Sequence, residues 1–345
     1  MKIFECPNCN APVFFENTIC QYCNTSLGYN SILDKFEIIN NNTNASVNDL
    51  KLCANHALEV CNWLVDETKN DTLCIACSLN RVVPNKSNLD DFEKWQKLEV
   101  AKHRLIYQLL RLSLPVTPKL THPDGIAFDF LSENNYNQAV TGHVDGVVTI
   151  ILKEADSVQR EQLRKQMDEP YRTLLGHFRH EIGHYYWLLL FNESNLASYR
   201  NTFGDERIHY GDALKNHYKN GAPNNWNENF ISKYASSHSW EDWAETWAHY
   251  LHLMDTLETA NSLGVCFQPE KDYVKKLMVK HCPNPYQTED FRKIFNANLA
   301  LSCSVNSLNR SMGLMDIYPF IVPKPVLDKL IFIHSLLSKT EINKN

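Results

Sequence analysis

No stretch of this 345-residue chain approaches the roughly 18 consecutive apolar residues of a membrane span, and its N-terminus, Met1-Lys2-Ile3-Phe4-Glu5-Cys6, lacks the apolar core of a signal peptide. Both absences predict a cytoplasmic protein with no membrane partner. A basic excess is missing too. The chain has 34 Lys and Arg against 40 Asp and Glu, a formal net charge of −6, which argues against a general nucleic-acid binder. Residues 1–80 are more one-sided, with nine Asp or Glu against four Lys, a balance of −5. Each zinc held there by four thiolates would add about two further negative charges, so a phosphate backbone is a poor partner and an acidic protein-docking module a better one.

Cysteine is unevenly spread: of eleven, eight precede Leu79 in close clusters. In a reducing compartment such clusters are metal ligands sooner than disulfides. Cys6-Pro7-Asn8-Cys9 and Cys20-Gln21-Tyr22-Cys23 are two Cys-x2-Cys knuckles ten residues apart, the spacing of a zinc ribbon, with a strand expected over Val13-Phe14-Phe15. The polar run Asn40–Asn44 reads as a linker. Cys53, Cys61, Cys74 and Cys77 follow, and only the last pair forms a tight knuckle. Four sulfurs suffice for a second structural zinc, although His56 stands close enough in sequence to replace Cys53 or Cys61, and Cys53 and Cys61 also fit as core thiols. Cys266, Cys282 and Cys303 show no ligand spacing and are expected to be buried thiols.

Beyond Asn88 the texture turns helical, with Phe92, Trp95, Leu98, Leu105, Leu109 and Leu112 recurring near helical spacing until Pro115. The β-branched run Gly146–Leu152 predicts a strand, placed to serve as a sheet edge for an extended substrate.

The next helix holds His180-Glu181-Ile182-Gly183-His184, the HExxH signature of zinc peptidases. Four-residue spacing puts both imidazoles on one helix face, where they can share a zinc ion, and Glu181 sits beside them as a general base. Asp168, Glu169 and Pro170 mark the helix start; Leu174, Phe178, Ile182, Tyr185 and Leu189 form its buried stripe to about Phe191. His177 is a solvated or hydrogen-bonded histidine rather than a ligand.

A catalytic zinc needs a third protein ligand and one open position. The metzincin solution fails, because Trp187 and Leu190 stand where that motif needs glycine and histidine. The best source is Ser239–His252, where Ser239 and Asp242 suggest a capping box and Trp243, Trp247, Ala248 and Leu251 an amphipathic helix. Glu241 and Glu245 then share a face, one suited to ligate zinc and the other to hydrogen-bond a ligating histidine.

Three stretches together resemble a zinc-binding metallopeptidase family with an N-terminal zinc ribbon: Arg179–Trp187, Phe203-Gly204-Asp205-Glu206-Arg207 and Trp240–His252. The resemblance covers both cysteine clusters and weakens after about Gly264. It implies a mainly bacterial family and an α+β fold, in which a largely helical zincin-type domain with a small sheet spans 88–345. A ribbon over 1–29 and a second cysteine-rich module over 30–85 precede it. A more distant likeness, to lethal-factor-like gluzincins, places a tyrosine seven residues before a glutamate ligand and an acidic residue four beyond it, matching Tyr234, Glu241 and Glu245. It implies that Glu241 is the ligand, that Glu245 supports a histidine, and that Tyr234 donates to the oxyanion; the reverse order of the two glutamates stays open.

The expected function is peptide-bond hydrolysis with one catalytic zinc, held by His180, His184 and Glu241, and one or two structural zincs. The competing expectations are a zinc-module adaptor without catalysis and a DNA-associated protease. The insertion Asn192–His238, with its Gly221-Ala222-Pro223 turn, is expected to wall the cleft.

Overall fold

The computed structural model describes the chain except residues 41–44, 47–49, 70–71, 133–140, 168–172, 319 and 340–345. Of the linker expected at Asn40–Asn44, Asn40 ends a strand and the other four residues lie outside the described residues, as does the Asp168-Glu169-Pro170 helix start. The fold is α+β, in two compact units, residues 1–156 and 157–345.

The first unit opens with a hairpin, β1 (Phe4–Glu5) and β2 (Pro12–Val13), and continues in an antiparallel meander. Its strands are β3 (Leu27–Asn30), β4 (Lys35–Asn40), β5 (Ala45–Ser46), β6 (Leu50–Leu52) and β7 (Leu64–Asp66), adjacent in chain order. β3 crosses the boundary expected near residue 29, so ribbon and second module are joined by a shared strand. They also share a core in which Phe4, Phe15, Tyr29 and Trp63 pack edge to face and Tyr107 closes against Phe4 and Phe15. Tyr107 belongs to α1 (Leu89–Arg111), capped by Asn88, whose side chain accepts from Asp91 N. By its packing α1 belongs to this first unit.

Around α1 lies a second sheet of β8 (Asn80–Val82), β9 (Ala127–Leu131), β10 (Gly142–Val144) and β11 (Val147–Ile151), in the order β10-β11-β9-β8. Asp145 and Gly146 both take positive φ, 46° and 73°, which makes the β10–β11 link a tight two-residue hairpin. Gly146 is required twice over, since a Cβ there would come within 2.4 Å of the Gly125 carbonyl oxygen. The strand expected as a free edge is therefore interior: β11 pairs with β10 on one side and β9 on the other. The sequence missed this because β10 is too short to read as a strand.

The second unit is helical: α2 (Ser157–Met167), α3 (Leu174–Leu190), α4 (Leu196–Phe203), α5 (Tyr210–Asn220), α6 (Ser239–Ser262), α7 (Phe291–Ser311) and α8 (Lys324–Lys339). α3 starts later than the acidic-proline signal suggested, at a Thr173 cap whose Oγ1 accepts from Gly176 N at 2.9 Å. Its buried stripe ends on Leu190, not Leu189, which is 38% exposed. α6 is capped not by Ser239 but by His238, whose Nδ1 accepts from Trp240 N at 3.1 Å. Trp243, Trp247, Leu251 and Met254 recur at helical spacing and are all buried. Among the described residues no helix is long and apolar enough to cross a membrane.

Candidate metal centre

α3 and α6 lie unusually close, and Gly183 is the reason. A Cβ there would fall 3.1 Å from Ala244 Cα and 3.2 Å from Trp247 Cδ1, so only glycine lets α6 approach this near without a shift. The indole of Trp243 locks the contact, donating from Nε1 to the Gly183 carbonyl at 2.8 Å. The HExxH glycine thus brings the glutamates of α6 to the histidines of α3.

His180, His184 and Glu241 converge. His180 Nε2 lies 3.1 Å from Glu241 Oε2, His184 Nε2 lies 3.2 Å from His180 Nε2, and His184 Nε2 lies 3.6 Å from Glu241 Oε1. Tetrahedral zinc with ligands at about 2.0–2.1 Å spaces them roughly 3.3 Å apart, so these donors fit a single ion. Two further atoms point the same way. Among the described residues Glu241 Oε2, although close to His180, makes no hydrogen bond, and neither does the buried Glu181 Oε2. Unpaired buried carboxylate oxygens are costly, and a bound cation with its water would satisfy them.

Around these donors stands a ring of supports. Glu245 accepts from His180 Nδ1 at 2.7 Å and from Ser232 Oγ at 2.7 Å, which orients the ring with Nε2 towards Glu241 and His184. Burial disfavours a charged His180, but the two adjacent carboxylates, Glu241 and Glu245, outweigh it and hold the imidazole well above its ordinary pKa. Burial alone would raise Glu241; the His184 and His180 rings override it and hold its carboxyl well below the usual range.

Tyr234 begins the 3-10 turn Tyr234–Ser237, its ring tilted against His180 at 6.0 Å. Its hydroxyl interacts with that of Tyr210, a residue without any local pattern to single it out. Tyr210, the first residue of α5, donates to Glu241 Oε1 at 2.8 Å. Burial and the Glu241 charge push both phenols up, keeping them protonated donors. The insertion Asn192–His238 thereby lines the site through Tyr210, Ser232 and Tyr234. A position 31 residues before its partner leaves no periodic trace. His177 is not part of the cluster.

The cysteines form two separate clusters, Cys6, Cys9, Cys20, Cys23 and Cys53, Cys61, Cys74, Cys77, with sulfurs within 4.8 Å of one another in each. Closest separations of 3.8, 3.7 and 3.6 Å match the roughly 3.8 Å between thiolates on zinc at about 2.3 Å. The first cluster is half open to solvent and takes side-chain contacts from Asn8 and Thr25 to Cys23. The second is fully buried and collects backbone N–H groups: Trp63 N on Cys61, Cys74 N on Cys53 and Cys77 N on Cys74. His56 is not in it; its Nδ1 bonds the Cys61 carbonyl at 2.9 Å. His103 of α1 is a support the sequence did not reveal, with Nε2 3.6 Å from Cys77 Sγ. Of the remaining thiols Cys282 is buried and Cys303 half-buried, but Cys266 is exposed, against expectation.

Two thiol knots spaced for zinc, and an HExxH helix facing a glutamate, define a zinc-ribbon protein with a metallopeptidase-type centre. A family profile described as "Putative zinc-binding metallo-peptidase" matches residues 91–336, and a zinc-ribbon domain profile matches residues 3–88. The chain belongs to this zinc-binding metallopeptidase family. It is 42% identical over 342 residues to uncharacterised proteins of Mycobacterium bovis and Mycobacterium tuberculosis, covering 98% of this chain and 96% of each relative. The likeness therefore extends well past Gly264. No solved structure is significantly similar.

Proposed function

We propose that this chain is a zinc-dependent peptidase, with His180, His184 and Glu241 holding the catalytic ion and the two cysteine knots holding structural ones. Zinc in such a site supplies a Lewis acid for a carbonyl and a water of lowered pKa. Glu181 takes the proton of the attacking water on Oε2, the atom that has no hydrogen-bond partner among the described residues, and passes it to the leaving amine. Tyr234 donates its hydroxyl to the scissile carbonyl oxygen as negative charge grows there. Tyr210 holds Glu241 and backs Tyr234, and Glu245 keeps His180 oriented. The observation that carries the reading is the orphaned Glu181 oxygen beside three donors at zinc spacing.

The test is a mass-spectrometric survey of new protein N-termini in lysate treated with wild type or Glu181→Gln. Cleavages present only with wild type are expected, and their sequences define the subsites. Equal cleavage by the two proteins, both zinc-loaded, would remove Glu181 from the mechanism. No cleavage by either would favour the adaptor reading.

Eight thiols held in zinc-spaced knots suit a reducing cytoplasm. The −5 balance of residues 1–80 favours a protein over a nucleic acid as the partner of the knots. Tight, steeply salt-dependent binding to duplex DNA would overturn that assignment and revive the DNA-associated reading.

A further inference from the structure

The first turn of α6 aims Glu241 at the histidines, and Asp242, one residue on, points about 100° further round the helix. Asp242 is 1% exposed, and a carboxylate so buried is costly unless a cation answers it. The cation comes from the C-terminal helix. Lys329 of α8, itself buried, places Nζ 2.7 Å from Asp242 Oδ2. The same ammonium donates to the Asn229 carbonyl at 2.6 Å and lies over the ring of Phe230, 4.5 Å from its centroid. Asn229 and Phe230 lead into the segment that carries Ser232, the partner of Glu245, and Tyr234, which packs on His180. One ammonium thus joins α8, the turn bearing Glu241, and the loop bearing Tyr234.

We propose that Lys329 is a positioning residue for the metal centre, which makes α8 an integral part of that centre. The inference rests on reading His180, His184 and Glu241 as a zinc site. Lys329 touches neither the metal donors nor the open face of the site. It acts by fixing the rotation of α6 about its axis: with Asp242 held from behind, Glu241 faces the histidines. Without the ammonium the first turn of α6 loses its tie to α8 and to the Asn229–Phe230 segment, and among the described residues the Asp242 carboxylate keeps only Thr246 Oγ1, 3.5 Å from Oδ1, so the orientation of Glu241 is no longer fixed.

The experiment uses full-length Lys329→Met and Lys329→Arg proteins, with zinc per chain and zinc affinity measured by competition against a chromophoric chelator. Lys329→Met is expected to keep the two knot zincs and to bind the third about 10–100-fold more weakly, the usual effect of losing an outer support; Lys329→Arg should restore most of the loss. Wild-type affinity for the third zinc in Lys329→Met, with only the melting temperature lowered, would overturn the proposal. If Lys329→Met does not fold, the Asp242→Asn/Lys329→Met pair removes both charges together. Weak third-zinc binding in that protein supports the proposal, and wild-type binding overturns it. A wild-type chain holding only two zincs would instead overturn the reading on which the proposal rests.

Discussion

The thiol knots of the first unit and the His-His-Glu centre of the second are all spaced for zinc, yet they are finished differently. Each knot offers four sulfurs, which saturate a tetrahedral ion, and the inner knot is sealed further by backbone N–H groups and His103. The centre offers three donors, and its supports are side chains on separate elements, Glu245 of α6 and Tyr210 of α5. A closed shell with local backbone support serves folding. An open shell of three donors leaves one position of a tetrahedral ion unfilled.

Chelation should divide the two kinds of site most widely. Dipicolinate is expected to strip one zinc per chain rapidly and to leave two for at least about a thousandfold longer, because an open vertex admits the chelator and a saturated one does not. Loss of all three at one rate, followed by metal analysis, would erase the distinction. Between the knots, Cys74→Ala should cost far more than Cys9→Ala. Breaking the buried knot removes metal binding worth on the order of 10 kcal/mol to folding, so the first unit should be unfolded at 37 °C, whereas the half-exposed ribbon should lose its metal with milder damage. Thermal melts and limited proteolysis compare them.

Acid should act on the second unit in part through His249, which is buried against Tyr318 and bonded to its hydroxyl at 2.9 Å. Burial pushes its pKa down from 6.5 to about 4, so the folded protein holds it neutral while the unfolded chain takes up the proton first. Its stabilising contribution is whole above pH 6.5 and is lost as pH falls towards 4, for a total of about 3 kcal/mol. Urea titrations followed by tryptophan fluorescence should show that slope, and His249→Phe should reduce it, leaving the share of His252, whose burial pushes its pKa down to about 3; an unchanged slope in the variant would place the acid sensitivity elsewhere. The smallest expected effect is that of Tyr210→Phe. Loss of the hydroxyl on Glu241 should weaken the third zinc about tenfold and leave the knots untouched. Equal loss from all three sites would mean that the phenol supports the fold and not the centre.

What could be read from the sequence follows from how far each signal reaches along the chain. His180 and His184 share a face because four residues make about one turn, and Trp243, Trp247 and Leu251 mark α6 by the same period. Cysteine type and number were enough to suggest two knots even though Cys53 and Cys61 lack tight spacing. Contacts made across the fold left no comparable trace. Tyr210 meets Glu241, His103 meets Cys77 and Lys329 meets Asp242 from separate elements, and no local pattern distinguishes them from other tyrosines, histidines or lysines. Local competition misled in two places: His238 took the cap expected of Ser239, and Thr173 opened α3 after the proline. The edge role expected of β11 failed because strand order is a property of the whole sheet.

Gly183 gives the centre its gauge. The two histidines belong to one helix and the glutamate to another, so the width of the donor triangle depends on the close approach that the missing methyl permits. Alanine at this position would act as a shim, parting α3 from α6 by a few tenths of an ångström and enlarging the seat for the ion. Selectivity among divalent metals would then shift toward larger ions while every ligand remained in place.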